Sequence, residues 1–461
     1  MVEAHPFLPN LEDETIQKML RQVKAGSIAD LFSDIPEQLR LGRKLAIPKG
    51  EGEAVVRKEM TARLAKNKTP PESLCFLGGG VYPHYIPAAV DSILSRQEFY
   101  TAYTPYQPEI SQGMLQALFE YQSMMCDLTG MQVCNSSMYD WASAAGEAVR
   151  MAVRAKKRAT ILVSKSVGRG RLEVIETYAE PMGAKIQPVE FHTETGGIDL
   201  DSLRTKISRA DGDVAALYLE NPNVFGVIEE GIDAAVEMVH AAGGLAVVGV
   251  NPISLSVLRE PGSYGADVAV GEGQPLGVPM NFGGPHMGIF AVKDVGLARS
   301  MPGRLIGMTT TKDGREKAFC MVLQTREQHI RREAATSNIC TNQALLALAA
   351  AAYMSLLGKN GFRKLGEVNL ANSHYAAEKI GELHGVKAPL FSGPFFGEFT
   401  VGYQRRKASW VFAELAKRGV MGGYPLAEHF EQIGEAGAFC VTEVHSSDEI
   451  RRLVDALGEV V

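Results

Sequence analysis

Three stretches of this 461-residue chain gather side chains that can do chemistry. The first is Gly265 to Lys293, GADVAVGEGQPLGVPMNFGGPHMGIFAVK. It begins as a short apolar strand, Ala266 to Val270, with Asp267 at its mouth, and returns as a second, Gly288 to Val292. Between them runs a loop of Gly, Pro and Asn with Gln274 near its start. A long loop of that kind inside a compact domain usually has a job. The second stretch is Tyr100 to Gly113, where three tyrosines, Gln107 and Glu109 surround Pro105 and Pro108. Proline disfavours helix in the residue before it, so the segment reads as an extended, aromatic recognition surface. In the third, Arg326, Arg331 and Arg332 stand close together. They form either a solvated ion-pair network with Glu327 and Glu333 or a site for an interface or an anionic ligand. His84, in the turn Gly78-Gly79-Gly80 to Pro87, is either a donor to a ligand or a satisfied structural histidine.

The elements that must position these residues follow from periodicity. Continuous apolar runs at Thr160–Ser164, Ile186–Phe191, Val214–Glu220 and Leu245–Val250 read as strands covered on both faces. They alternate with helices at Leu172–Tyr178, Leu200–Arg209 and Gly231–Ala242, the pattern of a doubly wound α/β sheet. A helix from Gln112 to Thr129 keeps Leu115, Leu118, Met125 and Leu128 on one face. Another, Asn342 to Leu357, is apolar nearly all round and is stopped by Gly358 and Gly361. A smaller α/β set follows: helix Val368–Leu383, strand Phe399–Tyr403, helix Ser409–Lys417, strand Ala438–Val444 and helix Asp448–Leu457. Ser446 or Ser447 would cap the last of these. The organisation expected is a helical arm over residues 1–68, a large domain over 69–330 and a smaller C-terminal domain over 331–461.

Composition narrows the function. Hydrophobic residues make up 46% and charged residues 22%, which is ordinary for a globular protein. A net charge of -6, with no basic strip interleaved with aromatics, gives no reason to expect nucleic acid. The start, MVEAHPFLPNLEDE, lacks the basic and apolar regions of a signal peptide, and no apolar run approaches ~20 residues. A cytoplasmic protein that does not span a membrane is the expectation. Cys75, Cys126, Cys134, Cys320, Cys340 and Cys440 are scattered and form no C-x-x-C pair, so free thiols and no metal are expected.

The motifs also carry a resemblance. Gly-Ala-Asp followed by Pro279 and Gly283-Gly284-Pro285-His286-Met287-Gly288 is similar to the cofactor-lysine segment of the glycine dehydrogenase (decarboxylating) family, the P-protein of the glycine cleavage system. Pro105-Tyr106-Gln107-Pro108-Glu109, Gln112-Gly113, Leu128-Thr129-Gly130-Met131 and Asn221-Pro222-Asn223 fit the same frame over essentially the whole chain. The resemblance implies a fold-type I, pyridoxal-phosphate transferase-like architecture. In that family a lysine forms a Schiff base with the cofactor, and here its position falls on Gln274, which has no basic amine. An aspartate pairs with the ring nitrogen, and here that position falls on Gly249. Two losses on two strands make the chain resemble the alpha subunit of the split bacterial form, with the pyridoxal phosphate on a beta subunit.

What this implies for the site is an expectation. No residue of this chain alone is catalytic. Tyr103, Thr104, Tyr106, Gln107 and Glu109 would be contributed to the partner's site. Ser143, Ala144 and Gly146, at a helix start that takes the cofactor phosphate in this fold, either form a vestigial anion site or allow close packing. The partners implied are the beta subunit, in an alpha2-beta2 heterotetramer, and the lipoylated H-protein. Two other readings stay open: a self-sufficient pyridoxal-phosphate enzyme using another lysine such as Lys312, and a non-enzymatic assembly or regulatory protein that kept the fold.

Overall fold

The computed structural model describes residues 7, 10–69, 73–102, 104–281, 283–337, 339 and 341–461. The chain divides into two compact units, Met1–Lys68 and Thr69–Val461. In the first unit, helix Asp13–Gln22 carries Asp13 and Glu14 in its first turn and Arg21 in its last, charges that suit the helix dipole. Ser27 and Asp30 close a capping box over the short 3-10 turn Ile28–Phe32. Helix Glu53–Leu64 follows. Among the described residues of this unit Leu20 alone is buried, while Leu31, Phe32, Leu39, Leu45 and Ile47 stay exposed.

The second unit opens with β1 (Leu74–Phe76). A central sheet follows, built from β2 (Val133–Cys134), β3 (Thr160–Ser164), β4 (Lys185–Val189), β5 (Val214–Glu220), β6 (Leu245–Val250), β7 (Val268–Glu272) and β8 (Gly288–Val292). Its order is β2-β8-β7-β6-β5-β3-β4. Strands β4, β3, β5, β6 and β7 run parallel, and β8 turns back antiparallel to β7. Alternate residues point to opposite faces. On β5, Ala216 and Tyr218 pack beneath helix Trp141–Lys156, whereas Leu217 and Leu219 join the cluster that holds helix Ile232–Ala241 and helix Gln112–Thr129. Both faces are thus covered, which is why these strands read as unbroken apolar runs.

The sequence placed the strand before the long loop at Ala266 to Val270. The ladder runs further, because Gly271 and Glu272 still pair with Ile289 and Gly288. Glu272 therefore stands at the carboxyl end of the sheet rather than in the loop.

Beyond the sheet lies a hairpin, β9 (Leu305–Thr310) with β10 (Lys317–Val322). A smaller antiparallel sheet combines β11 (Val386–Lys387), β12 (Glu398–Tyr403), β14 (Tyr424–Pro425) and β15 (Ala436–Cys440), while β13 (Val420–Gly422) pairs with β1. The run Ala344–Gly381 is two helices that meet at Gly358, where the backbone leaves helical geometry (φ 60°, ψ 179°), as expected from the sequence. Glycine adopts that angle without a side-chain clash, so the first helix ends there and the second starts in a new direction. By length and composition the run could cross a membrane. Leu346, Ala347, Leu348 and Tyr353 are instead buried in the large core, and Ala376, Ala377 and Ile380 in the small one. The closing helix, Ser447–Gly458, is capped by Ser446, whose hydroxyl accepts from the Glu449 amide.

The turn after β5 carries a buried acid. Glu229 accepts from the Ile198 amide at 2.7 Å and from Asn223 Nδ2 at 2.8 Å, yet burial raises its pKa from 4.5 to about 7. The folded state therefore holds this proton more tightly than the unfolded chain does. Its stabilising contribution is complete below pH 4.5 and is lost as the pH rises through 7. Glu229→Gln should flatten that decline, seen as a Tm that falls less between pH 5 and 8 than in the parent. An unchanged slope would mean the carboxyl is ionised in the fold throughout.

Candidate functional site

The carboxyl ends of β5, β6 and β7 converge where an open α/β sheet ordinarily takes a ligand. They present Glu220, Gly249 and Glu272, with Gln274 just beyond. Gln274 is 1% exposed. Its side-chain oxygen accepts from the Tyr82 amide at 3.0 Å, and its NH2 donates to the Val278 carbonyl at 2.6 Å. The residue is a structural tie between the Gly78–Pro87 turn and the long loop, and it has no amine to offer.

The space over Gly249 is filled by the protein. A Cβ there would lie 2.8 Å from the Trp141 ring and 2.9 Å from the Tyr218 hydroxyl. Trp141 Nε1 donates to that hydroxyl at 3.1 Å, and the hydroxyl donates to Glu220 at 3.1 Å. Arg171 closes the stack. Its guanidinium sits 4.0 Å above the Trp141 ring and grips Glu220 with both Nε and Nη2, the latter at 2.7 Å. Burial alone would lower the Arg171 pKa; the Glu220 carboxylate outweighs it and holds the guanidinium above its ordinary value.

Helix Trp141–Lys156 points its N-terminus at the same place. Asp140 caps it, accepting from the Ser143 amide at 2.7 Å. Glu272 accepts from the Trp141 amide at 3.2 Å. Ala144 is fully buried, and a Cβ on Gly146 would meet the Tyr178 ring at 2.8 Å. Ser143 thus takes part in the cap, and Ala144 and Gly146 in close helix packing. A cleft of about 360 Å³ remains at the mouth, with Gly79, Gly80, Arg171, Glu272 and His286 in its wall.

The tyrosine-rich segment lies elsewhere on the unit. Tyr103 falls outside the described residues. Thr104, Gln107 and Glu109 are exposed, whereas Tyr106 turns inward. Its hydroxyl donates to Asn342 Oδ1 and its ring lies 4.4 Å from the Arg304 guanidinium. Asn342 in turn donates to the Ser136 carbonyl at 2.8 Å and to the Ser137 hydroxyl at 3.0 Å. Ser137 has φ 139°, a costly angle for a residue with a Cβ, and its hydroxyl also accepts from the Gln343 amide. Tyr106 is half-buried and tied to Asn342, and the neighbouring Thr104, Gln107 and Glu109 face outward.

Other candidates resolve more simply. Arg326 is buried and donates to the carbonyls of Met301, Gly303 and Leu323 rather than to Glu327 or Glu333, so the expected ion-pair network with it does not form. Arg331 and Arg332 are exposed. His84 is pinned to Glu443 at 2.8 Å, with the Tyr85 amide on the same carboxylate. Lys312 is exposed in the hairpin turn. Among the described residues Cys75, Cys126, Cys134, Cys320 and Cys440 are free thiols, Cys340 lies outside them, and no cluster of ligands could hold a metal ion.

The sequence profile of the family described as Glycine cleavage system P-protein matches residues 6–457. The chain belongs to that family. Among P-protein relatives, "Probable glycine dehydrogenase (decarboxylating) subunit 1" of Staphylothermus marinus is 45% identical over 470 residues, covering 100% of this chain and 99% of the relative. The protein of the same name from Aeropyrum pernix is 46% identical, with 99% of each covered. A crystal structure of glycine decarboxylase (P-protein) of the glycine cleavage system, in inhibitor-bound form, superposes with TM-score 0.86 at 38% identity over 100% of both chains. A sphingosine-1-phosphate lyase of Burkholderia pseudomallei shares the fold alone, with TM-score 0.68 at 14% identity over 92% of this chain and 94% of its own.

The P-protein frame permits a test of whether this chain can take pyridoxal phosphate. Its residues do not fit the group. Gln274 has no amine, Gly249 offers no side chain to pair with a ring nitrogen, and the Trp141–Tyr218 pair fills the space above that glycine. Sequence reasoning singled out Gln274 and Gly249 but not Trp141, Arg171, Glu220, Glu272 and Asn342, which surround them or lie near them in the fold. Their type was visible; what they touch depends on strands far apart in the chain.

Proposed function

We propose that this chain is the non-anchoring subunit of a two-chain glycine decarboxylase, and that a second subunit carries the pyridoxal phosphate. Together they would decarboxylate glycine and pass the aminomethyl group to the lipoyl arm of H-protein, as an alpha2-beta2 assembly in the cytoplasm. The observation that carries this reading is the buried, fully hydrogen-bonded Gln274 where the family has its lysine. When bound, the cofactor supplies the electron sink for decarboxylation. This chain's own part is to present Thr104, Gln107 and Glu109, held outward by Tyr106, toward the partner's site.

Mixing purified chain with its second subunit and measuring glycine–carbon dioxide exchange with H-protein tests this directly. Neither chain alone should exchange, and activity should climb until the two are equivalent. Glu109→Ala should lower exchange by about tenfold or more, the worth of one charge-assisted hydrogen bond, without loss of assembly. Tyr106→Phe should lower it less, by loosening the anchor on Asn342. Full activity in both variants would remove this segment from the mechanism. Visible absorbance on adding pyridoxal phosphate to the isolated chain, together with glycine exchange, would overturn the assignment.

A further inference from the structure

Tyr106 is gripped from two sides, and both grips lead to the same two serines. Its hydroxyl donates to Asn342 Oδ1, and its ring faces the Arg304 guanidinium at 4.4 Å. Asn342 Nδ2 donates to the Ser136 carbonyl at 2.8 Å and to the hydroxyls of Ser136 and Ser137, each at 3.0 Å. Arg304 is fixed through its backbone. Its carbonyl accepts from the Ser136 amide at 2.9 Å and from the Ser136 hydroxyl at 3.0 Å. On either side of the serines the chain is pinned to β8. The Asn135 amide donates to the Phe290 carbonyl at 3.1 Å, and Met138 exchanges two backbone bonds with Gly288, at 2.8 and 3.0 Å. A Cβ on Gly288 would stand 2.3 Å from the Asp140 carbonyl oxygen, so the chains there are in close contact.

Ser137 is the unexpected member of this corner. It is fully buried and has φ 139°, a region that glycine enters freely and a residue with a Cβ does not. Were the backbone turn alone required, glycine would fill the position with less strain. A serine there points to a use for the hydroxyl. That hydroxyl accepts from Asn342 and from the Gln343 amide at 3.0 Å, so it holds the residue that holds Tyr106. The segment beyond is exposed, and Thr104 and Gln107 stand in the wall of a cleft of about 810 Å³. Its own turns are thin: the Gln107 amide reaches the Thr104 carbonyl at 3.3 Å and the Ile110 amide the Gln107 carbonyl at 3.2 Å. Exposed turns of this kind open readily unless something anchors them.

We propose that Ser137 is a positioning residue for segment 104–109. Its hydroxyl fixes Asn342, and Asn342 fixes Tyr106 and with it the direction in which Thr104, Gln107 and Glu109 face. This concerns the geometry of the segment within the chain; its consequence for turnover rests on the proposed two-chain function.

The test compares full-length wild type with Ser137→Gly, Asn342→Ala and the double variant. Ser137→Gly removes the hydroxyl and relieves the backbone together, so its Tm should stay within about 2 °C of wild type. Ser136 still accepts from Asn342, so the anchor is weakened rather than abolished. Hydrogen exchange over residues 104–113 of the chain alone, read by mass spectrometry, should nevertheless quicken about fivefold. Asn342→Ala should quicken it at least as much, and the double variant should match Asn342→Ala, because both changes act through one path. Exchange at the wild-type rate in Ser137→Gly, or single effects that simply multiply in the double variant, overturns the proposal. Should Ser137→Gly fail to fold, Ser137→Ala, which keeps the Cβ and loses only the hydroxyl, carries the same comparison. With the second subunit and H-protein added, Ser137→Gly should lower kcat for glycine–carbon dioxide exchange about fivefold. KM for glycine and the amount of second subunit needed for saturation should not change, the split expected of a misplaced group rather than of lost binding or assembly. Faster hydrogen exchange with full turnover would support the positioning role and remove the segment from the mechanism, which separates failure of the one reading from failure of the other.

Discussion

Arg171→Ala should cost about 3–5 kcal/mol, the penalty for leaving one member of a buried ion pair without its partner. The Glu220 side chain is fully buried and Arg171 retains only 11% exposure, so water cannot replace the guanidinium. Once it is gone, the Tyr218 hydroxyl at 3.1 Å is the remaining donor to that carboxylate. The substitution also removes the cation above the Trp141 ring and the bond to the Gly79 carbonyl at 3.3 Å. Against the roughly 5–15 kcal/mol that separates folded from unfolded in a typical domain, this is a large fraction. Urea denaturation should show a lower midpoint with an unchanged slope. The double variant Arg171→Met, Glu220→Leu should recover much of the loss, because an apolar pair needs no desolvation of charge. A single variant within about 1 kcal/mol of the parent would mean that the pair is solvated, as exposed pairs are.

Restoring the missing chemistry should fail. Gln274→Lys removes the acceptor of the Tyr82 amide and places an ammonium in a dry site, at about 1–3 kcal/mol for the orphaned group alone. Gly249→Asp drives a Cβ to 2.8 Å from the Trp141 ring, an overpacking that costs about 1–3 kcal/mol before its carboxylate is counted. The double variant should melt well below the parent and show no visible band with stoichiometric pyridoxal phosphate. A band in the double variant would sink the claim that Trp141 and Tyr218 close the site. The obstacle is a packed plug of Trp141 and Tyr218 over Gly249, which neither substitution removes.

Much of the architecture was legible in the sequence because parallel strands buried on both faces leave unbroken apolar runs. Thr160–Ser164, Val214–Glu220 and Leu245–Val250 are strands with the bounds read from sequence. The hairpin β9–β10 was missed because much of it is exposed or half-buried, so no burial pattern marks it. β1 escaped because its three residues pair with Val420–Gly422, at the far end of the unit. In the site, Gln274 stood out against its Gly and Pro surroundings. Arg171 and Glu220 did not: their partnership spans 49 residues, and each alone looks like an ordinary charge beside a helix or strand. Glu272 was hidden by Gly271 and Gly273, which make a strand end look like a loop. Tyr106 was assigned to a surface by its proline neighbours, and only the distant Asn342 shows that it faces inward.

The two helices joined at Gly358 reach different hydrophobic clusters, the first through Leu346 and Tyr353, the second through Ala376 and Ile380. Melting either cluster therefore frees one helix of a covalently joined pair whose other member packs in the second cluster. Heat should dissolve the two together, as a single cooperative event. The junction at Gly358, with open space where a side chain would stand, lies between these two sets of contacts.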